Sequence, residues 1–145
     1  MEPASRPTRR CYDTRMQTGS SATTRGIRVE VESSFVPERS DPTEKRWFFT
    51  YTIRITNEGS ETAQLMSRHW IITDGDGDAE EVRGPGVVGN QPILKSGDSF
   101  EYTSACPLAT NFGTMHGTYQ MVTEKGEQFD VEIAPFALAE PYAIN

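Results

Sequence analysis

Between Trp47 and Thr56 the chain alternates without a break. Trp47, Phe49, Tyr51, Ile53 and Ile55 fall on one face, and Phe48, Thr50, Thr52, Arg54 and Thr56 fall on the other. Successive side chains of a strand point to opposite faces, so this period of two is that of an extended strand with one buried side. All five large groups on the apolar face are aromatic or β-branched, which suits a pleated surface. The segment is predicted to be the core strand, ended by the turn Asn57-Glu58-Gly59-Ser60.

The same period recurs along the chain. Ile27, Val29, Val31 and Phe35 alternate with polar residues, as do Phe100, Tyr102, Ser104 and Cys106, then Met115, Gly117, Tyr119 and Met121, then Phe129, Val131 and Ile133, with Phe136 and Leu138 extending the last set. Ala63–Asp74 is apolar on both faces, as a central strand is: Leu65 and Ile71 share one side with His69, and Met66, Trp70 and Ile72 share the other with Arg68. Short strands are also expected at Ala79–Arg83 and from Ile93. No stretch carries a helical period, so no crossover helix could join parallel strands. Short strands with turn signals between them predict an all-β fold, a fibronectin type III or immunoglobulin-like β-sandwich of about seven or eight antiparallel strands.

Residues 1–25 depart from this pattern. They are rich in Arg, Ser, Thr and Pro, have no apolar period, and are expected to form a disordered basic tail ahead of a sandwich domain over residues 26–145. The tail has neither the apolar centre of a secretory signal nor the apolar face of a transit peptide, and Met16 offers an alternative start. It holds five arginines against two acids, so of the net charge of −7 the remainder of the chain carries −10. An acidic body repels phosphate backbones, which excludes a broad nucleic-acid surface. No apolar run approaches the ~20 residues that cross a bilayer, and no membrane partner is expected. At 145 residues the chain suits one domain. Cys11 and Cys106, one in the tail and one in a strand, do not read as a structural pair, a usage that suits a reducing cytoplasm.

Val82–Pro92 holds the spacing Gly-x-Gly-x-x-Gly at Gly84, Gly86 and Gly89. In a dinucleotide site that spacing joins a strand to a helix whose N-terminus faces the pyrophosphate. Here Pro85 fills the first gap, Pro92 follows Asn90-Gln91, and no amphipathic helix comes after, so the dinucleotide reading fails on context. Three readings stay open: a connection needing positive φ, an anion nest of backbone amides at Gly84, Gly86, Gly89 and Asn90, and a protein-docking loop. Asp74, Asp76 and Asp78 resemble the start of a calcium loop, but Ala79 and Pro85 stand where Gly and Glu are required. A hairpin turn accounts for them, with a weak cation site as the alternative. His69, His116 and Cys106 contain no close-spaced ligand pair, and His69 reads as a hydrogen-bonded structural histidine. Ser104, Cys106 and His116 have no nucleophile elbow or acid partner, so no catalytic residue is assigned and no cofactor is expected.

Taken together, Ser67-Arg-His-Trp70, Gly84-x-Gly-Val-Val-Gly89 and Met115-x-Gly-x-Tyr119, occurring in that order, resemble the ApaG family. So do Phe49–Asn57, Phe100–Ser104 and Phe129–Ile133; the likeness runs from about Thr24 to the C-terminus. Ala105 departs from it, where a glycine often follows the Thr-Ser pair. The resemblance implies a fibronectin type III-like sandwich in a small cytoplasmic bacterial protein, encoded in many bacteria beside a diadenosine tetraphosphate hydrolase. It also implies a link to cobalt and magnesium tolerance, no established catalytic mechanism, and kinship with interaction modules of eukaryotic F-box and DNA-polymerase-interacting proteins. Arg68, His69 and Trp70 are implied as contact residues in the same way. The function expected is a non-catalytic protein-binding module. The alternatives are a phosphate- or nucleotide-binding protein (dinucleoside polyphosphate or pyrophosphate) and, more weakly, a direct metal binder through Asp74, Asp76 and Asp78 or through His69 and His116. Pairing with a second copy is a further option.

Overall fold

A computed structural model describes residues 18–141. Its strands are β1 (Gly19–Thr24), β2 (Ile27–Phe35), β3 (Trp47–Asn57), β4 (Ala63–Asp74), β5 (Ala79–Pro85), β6 (Ile93–Leu94), β7 (Ser99–Leu108), β8 (Phe112–Thr123) and β9 (Gln128–Ala139). They form two antiparallel sheets, one in the order β1-β2-β3-β7 and one in the order β5-β4-β8-β9, with β6 also paired to β4. The predicted sandwich is the fold observed. Between β2 and β3 lie two short 3-10 turns, Pro37–Arg39 and Pro42–Glu44, each begun by the proline whose locked φ suits that position.

Phe49, Ile53 and Ile55 of β3 are fully buried, as the alternation requires, against Leu65, Met115, Tyr119, Met121, Val131 and Ile133. Tyr51 meets Trp70 edge-on at 5.5 Å between ring centroids, and Trp70 meets Phe136 at 6.0 Å, which joins the two sheets at the centre. Trp47 is only half-buried at the rim, where its indole N–H donates to Glu140 at 3.1 Å. Asn57, buried at the end of β3, donates to the carbonyls of Glu61 and Leu94 and accepts from the amide of Gly59, so every polar atom of its side chain is paired.

Three expectations are corrected. The sandwich does not begin at Gly26: Gly19–Thr24 is a strand, paired residue for residue with Ile27–Glu32. It has no large apolar residue and is held by its backbone ladder and by side-chain hydrogen bonds to β9, so hydropathy gives no sign of it. Residues 1–17, with Cys11 and the rest of the tail, lie outside the described residues. The strict parity in β4 also fails. The register with β8 shifts between Leu65 and Ser67, so Leu65 and Trp70 both point inward although they stand five positions apart, an odd step that strict alternation would put on opposite faces. This bulge turns Arg68 toward the interior with Trp70 and His69 toward the outer face with Ile71. Finally, Gly84 is a strand residue, opposite Arg68 in the β4–β5 ladder, rather than part of a loop.

Candidate functional site

β5 and β6 run along the same edge of β4. From Ser67↔Pro85 to Gln64↔Ile93, β4 advances three residues while its neighbour advances eight, so five residues are looped out. The base of this excursion is closed on the bulge. The carbonyl of Met66 accepts both the amide of Gly86 at 2.9 Å and the side-chain amide of Gln91 at 2.9 Å. Beyond the base, Val87 is buried, and the amides of Val87 and Asn90 each donate to the other's carbonyl, at 2.8 and 2.9 Å. Val88 and Gly89, at φ 42° and 84°, form the two-residue tip of this small hairpin.

Arg68 holds the excursion from inside. Its Nη1 donates to the carbonyl of Pro85 at 2.9 Å and to that of Gly86 at 2.8 Å. The guanidinium lies across Gly84 so closely that a Cβ there would stand 2.9 Å from Nη2 and 3.1 Å from Cζ. Gly84 is therefore required for the arginine to pass over it, whereas Gly86 and Gly89 are required for their positive φ. The polarity of the loop follows from this. Its base turns carbonyls inward to a cation, and the amides of Gly86, Val87 and Asn90 already donate inside the protein. Val88 and Gly89 supply the outward amides of the tip, a smaller donor set than the nest expected at Gly84, Gly86, Gly89 and Asn90.

The other residues singled out in the sequence fall in separate places. Trp70 is buried in the core, and His69 lies on the outer face of the second sheet, its Nε2 2.8 Å from a carboxylate oxygen of Glu81. That hydrogen bond, followed by the charge attraction between the two, holds the Glu81 carboxyl below the ordinary carboxylate range. His116 shares that outer face, opposite Ile71 and one diagonal from His69. Cys106 belongs to the inward face of β7 on the other sheet, and burial, reinforced by the charge of Glu80, pushes its thiol up to about 11. Ser104, Cys106 and His116 are thus divided between an inner and an outer face, and a nucleophile–base pair is not assembled. Nor did the alternation reveal the pairing of the Tyr102 and Tyr119 hydroxyls across the core, where burial raises both phenols and the charge of Arg68 opposes the rise.

The three aspartates converge, with ligand oxygens of Asp74, Asp76 and Asp78 within 4.8 Å of one another. The turn itself engages them. Asp74 Oδ1 accepts the amides of Asp76 at 2.9 Å and Asp78 at 3.0 Å, and Gly77 at φ 89° donates to the carbonyl of Asp74. That is the bracing of a hairpin by an aspartate.

The described residues therefore define a small antiparallel β-sandwich with a glycine-proline hairpin staked to one sheet by a buried-side arginine. The chain belongs to the ApaG family: the family model described as the ApaG domain matches residues 37–123. It is 56% identical over 120 residues to Protein ApaG of Bradyrhizobium sp. strain ORS 278, covering 83% of this chain and 92% of that one. It is 58% identical over 121 residues to Protein ApaG of Methylobacterium radiotolerans, with 83% and 93% covered. Among solved structures, a Bordetella pertussis protein described provisionally as ApaA superposes with a TM-score of 0.78 at 51% identity, covering 89% of this chain and all of that one.

Proposed function

We propose that this domain is a non-catalytic interaction module, an immunoglobulin- or fibronectin-like sandwich that docks a protein partner on the Val87–Gln91 excursion. The observation that carries this reading is Val88. It is a β-branched residue held at φ 42°, in the left-handed region, with 54% of its surface exposed. Left-handed backbone costs an ordinary residue about 1–2 kcal/mol, and an exposed valine recovers little of that by burial. Asparagine or glycine would make the same turn at lower cost, so stability does not account for valine here.

Its neighbours point the same way. The large hydrophobic residues most exposed among the described residues are Val88, Met66 at 38% and Ile93 at 59%. Met66 supplies the carbonyl at the base of the excursion, and Ile93 follows its end, paired with Gln64. Three apolar side chains around a braced hairpin make a small anchor of the kind that fills a partner's pocket. Beside them a depression of about 620 Å³ is lined by Met66, Ser67, Gln120, Val122, Phe129 and Asp130. The site needs no metal or cofactor for this role, and the cation-tolerance link implied by the family would act through the partner.

The test uses the full chain as bait with a Val88→Asn variant beside it. A partner held by the native chain and lost by Val88→Asn, with the fold intact, is the expected result. Equal retention by both, or a specific shift of the Val88 and Gly89 amides on adding pyrophosphate with no protein retained, would refute docking at this loop.

A further inference from the structure

The sandwich has two flanks, and one is closed. There β1 and β2 meet β9: Ser20 Oγ of β1 donates to the carbonyl of Ala134 at 2.8 Å, Ser33 Oγ of β2 to that of Ala137 at 2.6 Å, and the amide of Glu132 to Thr24 Oγ1 of β1 at 3.1 Å. On the other flank β5 and β7 are the outermost long strands among the described residues. An open edge presents unpaired N–H and C=O groups, which proteins usually blunt with charge, proline, bulges or shortness. β5 is blunted, with Glu80, Glu81, Arg83 and Pro85 in seven residues. β7 is blunted far less: Ser99–Leu108 contains one charged residue, Glu101, and one proline, Pro107, next to its last position, and its ten pairs with β3 run without a bulge.

We propose that β7 is a self-pairing edge, joining two copies of the chain antiparallel about a two-fold axis at Thr103 so that the first sheet continues from one copy into the other. Three observations on the strand support this register. Asn57 donates to the carbonyl of Asp98 at 2.9 Å, and in an antiparallel ladder alternate residues bond a given neighbour. Counted from that pair, Phe100, Tyr102, Ser104 and Cys106 bond β3, while Ser99, Glu101, Thr103 and Ala105 turn their backbone groups to the open edge. Centring on Thr103 overlaps the whole strand and forms about eight interchain hydrogen bonds, one short at each end where Pro107 has no N–H.

The second observation is charge. In this register Glu101 faces Ala105 of the second copy, whereas centring on Glu101 would set two carboxylates opposite each other, and centring on Ala105 would place Pro107 opposite Thr103. The third is the outer face, where Thr52 and Thr103 already share a hydrogen bond of 2.8 Å. Pairing at Thr103 extends that contact into a row of four threonines across the axis. The interface is isologous and small, and the two chains each carry a net charge of −7, so the dimer is weak and tightens with salt.

Sedimentation of the full chain over micromolar to millimolar concentration tests the proposal through position 105, which is exposed. Ala105→Lys sets two lysines opposite the two Glu101 residues and is expected to tighten the dimer about five-fold, and Ala105→Glu to weaken it about five-fold. Both effects shrink with added salt. Amide exchange of the native chain provides a readout independent of substitution, with Glu101, Thr103 and Ala105 slowing as concentration rises. A chain that stays monomeric into the millimolar range, a dimer indifferent to the charge at position 105, or exchange at these amides independent of concentration overturns the proposal.

Discussion

Gly84→Ala tests whether Arg68 stakes the hairpin. The new methyl would stand 2.9 Å from Nη2 and 3.1 Å from both Cζ and Nη1 of Arg68. The guanidinium ends a flexible stem and can move aside, so the overlap itself is relieved cheaply. Its displacement breaks the hydrogen bonds to Pro85 and Gly86, 2.9 and 2.8 Å long. Hydrogen bonds to a charged donor contribute about 1.5–3 kcal/mol each when buried, and solvent access at this rim reduces that, so the pair is worth about 2 kcal/mol. Replacing glycine where φ is ordinary returns roughly 0.5 kcal/mol through the unfolded chain. The net expectation for Gly84→Ala is a loss of about 1.5 kcal/mol, or about 3–6 °C in melting temperature. In an Arg68→Ala background the obstacle is gone, and the same substitution should be neutral or stabilising by about 0.5 kcal/mol. Equilibrium urea unfolding of the four proteins gives the coupling directly. An equal penalty in both backgrounds would refute the stake, because the cost would then lie in the strand and not in the arginine.

Val88→Asn should raise stability by about 1 kcal/mol in the same assay, since asparagine tolerates the left-handed region; a destabilised variant would contradict the strain assigned to Val88. Cys106 should be alkylated roughly a hundredfold more slowly in the native chain than in the unfolded one near pH 8, followed by peptide mapping so that Cys11 is counted apart. Because burial raises its pKa, the contribution of this thiol to stability is full below the unfolded value near 9 and is lost as pH rises toward about 11; Cys106→Val should remove that part of the alkaline decline. Glu81 has the opposite sign. Its lowered pKa gives stability present above the ordinary carboxylate range and lost as pH falls through the native value, and His69→Phe should return the Glu81 titration, read by carboxyl chemical shift, to that range. Asp74→Ala should cost about 1–2 kcal/mol whether or not millimolar magnesium is present, because the carboxylate braces two amides of its turn; a penalty that appears only with the metal would reverse that reading.

Much of this molecule was legible before any coordinate. Alternation at Trp47–Thr56 and in four other segments specifies strands directly, because side-chain direction in an extended chain depends only on residue parity. The absence of a helical period excludes a parallel sheet, and Pro85 and Pro92 remove the helix that a dinucleotide site requires. The co-occurring motifs were specific enough to mark the family. These are local properties, and the residues themselves settle them.

What only the tertiary structure decided is non-local. β1 exists because hydroxyls of Ser20 and Thr24 find groups of β9 more than a hundred residues away, a pairing with no periodicity to betray it. The bulge at Met66 shifts every later residue of β4 by one face, which turns Arg68 inward and His69 outward against strict parity. The purpose of Gly84 could not be read from its own segment, since the group that excludes a side chain there belongs to a residue 16 positions earlier, brought across by the β4–β5 ladder. Sequence determined that the chain is a sandwich of short strands; packing decided which of its glycines turn the backbone and which makes room for an arginine.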